Sequence, residues 1–265
     1  MANVLTNLAA DIYKAADTVG REVVGFIPAS TINSDGVERV ALNGTVRSHF
    51  TREATANNIT PSMTTPEGDD QTVDNKTLTI DTAKGVQIPM TGEDIKHLNN
   101  GSGYETVYGD QIAQAMRTLS NLIETDLATA AYQGASRAVG TAGTTPFSSN
   151  FDLVAQARQI LVDNGAPVTD GRTSLVLNTL AGTNLRNLAQ LQKANEAGST
   201  TMLRQGTLLD LQGVMLKESA QVQAHTKGTG TGYLINNGSG EAIGQTTLTL
   251  DTGSGTMIAG DVITH

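Results

Sequence analysis

Apolar residues recur along this chain with two periods, and each predicts a different kind of element. Val4, Leu5, Leu8, Ile12, Ala15, Ala16 and Val19 fall three and four apart, the stripe of a short amphipathic helix over 3–19. Beyond Pro28 the period drops to two. Val37, Val40 and Leu42 precede Asn43-Gly44, and Val46, His49 and Phe50 follow it. Asn-Gly supplies the positive φ values of a two-residue turn, so this stretch predicts a β-hairpin. Residues 54–74, "ATANNITPSMTTPEGDDQTVD", then carry almost no large apolar side chain, two prolines and four acids. Alternation resumes in "KTLTIDTAKGVQIPM", where Leu78 and Ile80 are expected to face Val86 and Ile88 across a turn at Gly85. Residues 37–90 together predict a long β-projection with a polar, acidic tip, since a polar connection of this length is uncommon inside a compact domain.

Thr91 to Asp94 fits a capping box and opens a brief helical turn. The helical period then returns at its strongest. From Tyr104 to about Arg137, Ile112, Met116, Leu119, Ile123, Leu127 and Ala130 recur at four, three, four, four and three. Such a helix would run roughly 50 Å, far beyond the mean globular helix, and acts as a strut. "GTAGTTPFSSN" at 140–150 marks a boundary. After it come a helix through Leu153, Ala157, Ile160 and Leu161 that ends at Asn164-Gly165, a buried strand "SLVLNT", a helix around Leu185 to Gln192, and "LLDLQGVMLKES". This alternation predicts a mixed α/β domain. The remaining Gly/Thr-rich residues read as a small β module.

Composition changes the picture in one respect. The chain has 265 residues and 27.6 kDa, enough for a sizeable core, and a compact monomer of that mass would expose roughly 11,000 Å². Yet only 3% of residues are aromatic, Trp is absent and 28 are Gly. A core this lean is expected to gain part of its burial from neighbouring subunits. The net charge of −9, with basic residues scattered, disfavours a dedicated nucleic-acid binder. Without Cys there is no disulfide framework or thiol nucleophile. No apolar run is long enough for a membrane span, and the N-terminus lacks the basic start of a signal peptide.

Candidate chemistry is sparse. "LTLDTGSG" has the form of an aspartic-protease loop around Asp251, but that reaction needs two carboxylates sharing a proton and the sequence holds one copy. Gly228, Gly230 and Gly232 lack the strand and helix that let glycines cradle a pyrophosphate. His49, His97, His225 and His265 stand far apart; Glu93 and His97 share a helical spacing, which makes two ligands and no site. Glu67, Asp69 and Asp70 cluster at the tip of the projection, with Arg47 and Arg52 at its base as candidate partners on a neighbouring subunit.

A helical arm, a β-projection, a strut, an α/β domain and a late β module, in that order, resemble the major capsid protein of tailed bacteriophages. The likeness is nearest to the coat-protein subfamily of short-tailed Salmonella phages, which inserts a β domain late in the chain. It is carried by "LTNLAADIYKAADTVGREVVGFIP", "TPSMTTPEGDDQTVDNKTLTI", "GVQIPMTGEDIKHL", "GDQIAQAMRTLSNLIETDLATAAYQGASRAVGTAGTTPF", "RQILVDNGAP" and "QKANEAGSTTMLRQGTLLDLQGVMLKESA". The resemblance implies an α+β fold. Its parts would be an N-terminal arm (1–36), an extended loop (37–90), a peripheral domain with the spine helix (91–149), an axial domain (150–222) and the start of a β insertion domain (223–265). Chains of that family continue past the insertion, so the sequence is expected to be cut short within it.

The same resemblance implies a non-enzymatic shell protein without cofactors, assembling as pentamers and hexamers into an icosahedral head around double-stranded DNA contacted non-specifically. Its implied partners are further copies of itself, a scaffolding protein and a portal protein, with a decoration protein as an addition the family allows. The implied place is the virion, after assembly in the bacterial cytoplasm and without a membrane. Asp11 and Asp17, on the polar side of the arm helix, are candidates to receive basic scaffold residues. Two other readings compete: an encapsulin-like cellular nanocompartment shell, and a hydrolase using Asp251.

Overall fold

A computed structural model describes residues 8–20, 25–32, 42–56, 58, 61, 68, 70–71, 73–89, 91–93, 104–141, 143–193, 200, 204–206, 208, 210–242 and 245–263. The chain divides into two units, one of residues 1–30 with 88–265 and one of 31–87.

In the first unit the predicted arm helix is α1, Leu8–Gly20. Its stripe is covered in part: Ala15 and Val19, one turn apart, are buried and α1 packs along the long helix α2, Tyr104–Gly134, while Ile12 and Ala16 are exposed and Val4 and Leu5 lie outside the described residues. At 1.5 Å per residue α2 is about 46 Å long. Its buried line differs from the predicted stripe. Ile112 and Ala128 are buried, Met116, Leu119 and Leu127 half-buried, and Ile123 and Ala130 exposed, while Glu124 is inaccessible.

The α/β region holds the main core. Helix α3, Asp152–Asp163, ends where Asn164-Gly165 predicted, with Gly165 at φ 79° and its N–H bonded to Val162 O at 2.9 Å. Strand β3, Ser174–Leu177, pairs in parallel with β4, Met215–Glu218, so that Leu175 lies opposite Leu216. Parallel strands need a crossover, and helices supply it. The predicted helix around 185–192 is instead two helices, α4 at Thr179–Arg186 and α5 at Ala189–Gln192. The Asn178 side chain starts α4 early by accepting the Ala181 N–H at 2.8 Å. Leu185 and Val154 are fully buried, each worth roughly 1.5–3 kcal/mol of burial, within a cluster completed by Phe147, Leu177, Ala181, Leu188, Leu191 and Val214. Phe147 enters that core with φ 63°, left-handed backbone that a non-glycine residue rarely adopts. In the tail, β5, Leu234–Ile235, and β6, Leu250–Asp251, form a short antiparallel pair.

The second unit is a ribbon of β1, Thr45–Thr51, and β2, Val73–Thr79. Asn43 has φ 67°, so the left-handed turn position was legible, but the described partner of β1 is β2 rather than the strand before the turn. Residues 37–41 lie outside the described residues. Val46 faces Leu78, and the ladder extends to Asn43, whose N–H reaches Ile80 O at 2.8 Å. Leu78 and Ile80 therefore do not pair with Val86 and Ile88, which carry no strand assignment. No described residue of this unit is buried.

Candidate assembly interface

The ribbon presents side chains on both faces. Phe50, Val73 and Leu78 are 48%, 65% and 51% exposed. Two strands alone bury too little to be stable in water, and these apolar side chains stand open to solvent. Arg52 was expected at the base, but the ladder puts it at the opposite end, where β1 leads into residues 52–72; there it donates from Nε to Asp74 Oδ2 at 2.7 Å and forms an ion pair with it. Arg47 lies exposed opposite Thr77, and Asp70 is exposed. Glu67 and Asp69 lie outside the described residues, as do His97 and His265. On α1, Asp17 is exposed; the Asp11 side chain is outside the described set. The structure brings Arg52 together with Asp74, a pairing that the sequence pattern did not single out.

Further exposed apolar area flanks the long helix. A groove of about 430 Å³ between α1 and α2 is lined by Val19, Ile27, Pro28, Met116, Leu119 and Ile123. Ile123 belongs to the predicted stripe but faces this groove rather than a closed core.

Three polar clusters hold the first unit together, and none was visible as a motif. Glu124 is 4% exposed and accepts the backbone N–H groups of Phe26 and Ile27, the latter at 2.9 Å. Arg186, at the end of α4, donates from Nε to Gly206 O at 2.8 Å and pairs with the Glu218 carboxylate on β4. In the tail, Asp261 accepts the Ile258 N–H at 3.0 Å and the Gly228 N–H at 3.1 Å, and meets His225 Nε2 at 2.8 Å. The Ile258 backbone bond first, and then His225, hold the Asp261 carboxyl below the ordinary aspartate range. The Tyr132 ring of α2 lies 5.1 Å from the His225 ring, so the tail is packed on the end of the long helix. A signal existed for Glu124 alone, an acid beside Ile123 on the apolar flank of a helix.

Asp251 sits at an exposed turn where its Oδ1 accepts the Thr252 N–H at 2.7 Å, and Thr252 takes φ 59°. That is the local geometry of a strand ending in a turn. Among the described residues no group of three His, Cys, Asp or Glu is placed to hold a metal ion, and no helix is long and apolar enough to cross a membrane.

No protein-family model and no curated protein matches the sequence. The fold does have a solved counterpart. A structure from Mycobacterium phage Che8 is similar with a TM-score of 0.56 at 18% identity, over 76% of this chain and 70% of that one. At that identity the likeness establishes a shared mixed α/β fold with a phage protein.

Proposed function

We propose that this chain is a shell-forming subunit, the major capsid protein of a tailed phage, that assembles as pentamers and hexamers around double-stranded DNA and performs no catalysis. The observation that carries this reading is the ribbon of residues 31–87, which spends two seven-residue strands without burying a described side chain. A free protein gains little from such an element, whereas a subunit whose neighbours cover it gains an interface. One finding supports the reading: the fold is shared with a phage protein.

In this reading the acidic tip, Glu67, Asp69 and Asp70, meets basic groups of an adjacent subunit, and Asp11 and Asp17 receive a scaffolding protein. The net charge of −9 suits a container that holds DNA without immobilising it. A portal protein completes the set of partners. Electron microscopy of the protein, expressed alone and with its scaffold, tests the proposal: closed particles of uniform diameter are expected. A dispersed monomer under both conditions would overturn it, and particles filled with an enzyme in place of DNA would transfer the chain to the nanocompartment class. Hydrolysis lost in Asp251→Asn would reinstate the enzymatic reading.

A further inference from the structure

Among the described residues between α1 and the 31–87 unit, the chain makes one short turn, Ile27–Ala29, with Pro28 in its first positions. A helical turn leaves its leading N–H groups without internal partners, and the residue in front of this one, Phe26, offers no side-chain cap. The missing acceptor comes from 97 residues further along. Both oxygens of Glu124 are used, Oε1 by the Phe26 N–H and Oε2 by the Ile27 N–H. A carboxylate placed at the positive end of a turn is the favourable sense of charge, and bonds to an ionised acceptor are about twice as strong as neutral ones. Glu124 is also the one buried charged residue among those described. A carboxylate stripped of water is costly unless its oxygens are satisfied, so the two bonds and the burial depend on each other.

The backbone at residue 25 is shaped to this carboxylate. A Cβ added to Gly25 would overlap the Glu124 carboxylate and would also stand 2.7 Å from Ser219 Cβ. Only glycine lets the chain lie this close. Ser219 directly follows β4, and the neighbouring Gln221 accepts from Thr125 Oγ1 at 3.3 Å, so the same stretch of α2 is tied to the α/β region as well. Arg117, Ser120 and Asn121 line the polar cavity beside it, of about 280 Å³.

We propose that Glu124 and Gly25 form a releasable clamp. The carboxylate locks residues 25–29 onto the long helix, giving the arm a second attachment beyond the Ala15 and Val19 stripe, and its loss frees that strap without unfolding the 147–218 core. The clamp stands independently of the shell reading, because it works within one subunit. Backbone amide exchange, measured residue by residue on the full chain, tests it in two variants. Glu124→Gln keeps the shape and removes the charge; Gly25→Ala keeps the charge and fills the space. In each, exchange at Phe26 and Ile27 is expected to rise roughly tenfold to a hundredfold, while the amides of β3 and β4 keep the wild-type rate. A rise in Glu124→Gln alone would still support the carboxylate as the lock. Unchanged exchange at Phe26 and Ile27 in Glu124→Gln would overturn the clamp, as would an equal rise throughout β3 and β4 in both variants.

Discussion

Two small sheets in this chain, each of two strands, have opposite fates. The parallel pair β3–β4 lies under the helices of residues 147–218, where Leu177 and Leu185 are sealed and Phe147 is drawn into the core even at the cost of left-handed backbone. The antiparallel pair β1–β2 has longer strands and more backbone pairs, and no described side chain of its unit is buried. Ladder length does not separate them; the second layer does. Backbone bonds largely exchange for bonds to water, and the net gain comes from apolar area that a covering layer removes from solvent.

The comparison breaks first at Leu185. Leu185→Ala should cost about 3–5 kcal/mol, read as a lower denaturation midpoint, because a closed core cannot collapse around the hole. An equivalent truncation in the ribbon, Phe50→Ala, should move the free subunit's midpoint by less than about 0.5 kcal/mol. A loss in the ribbon as large as in the core would show that the ribbon owns a core after all.

Charge reversal of Glu67, Asp69 and Asp70 together sharpens the contrast from the other side. The variant subunit should fold with an unchanged midpoint while its assembled shells come apart at lower temperature. Shells as heat-stable as the wild type would remove the acidic tip from the interface.

The tail offers a test in pH. The Asp261 carboxyl is lowered in the folded chain, so its contribution is complete above the ordinary aspartate pKa of about 3.9 and is lost as the pH falls through the lower folded value. Amide exchange at Gly228 and Ile258 should accelerate over that acid range, and in Asp261→Asn it should be fast already at neutral pH. Persistence of slow exchange in Asp261→Asn would show that backbone packing alone holds the tail. The smallest effect belongs to the Arg52–Asp74 pair. With Arg52 66% exposed, Arg52→Ala should cost at most about 1 kcal/mol in ribbon protection, and less in high salt.

What could be read from the sequence follows the same division between local and distant. The strut, the arm helix and the Asn164-Gly165 stop rest on spacings within a few residues, and each element stands where the pattern put it. Strand partners do not rest on such spacings. Val46 is as compatible with residues just before Asn43-Gly44 as with Leu78, and the choice is made by chain far away. The single predicted helix at 185–192 divides because Asn178 caps early and Leu188 leaves helical geometry, with φ −65° and ψ 125°. Among the site residues, Arg52 was named for a partner on another subunit, and the structure shows Asp74 of its own ribbon beside it. The position of Glu124 on the apolar flank of its helix is a local signal, but its role is not, because the donors that satisfy it lie almost a hundred residues earlier.

The central claim is that the ribbon obtains from other copies the layer it lacks. Amide exchange of β1 and β2, compared between the free subunit and the assembled particle, tests it most directly. Strong protection that appears only on assembly is the predicted result, with β3 and β4 protected equally in both states. Exchange from β1 and β2 that is the same in particle and free subunit would contradict the account.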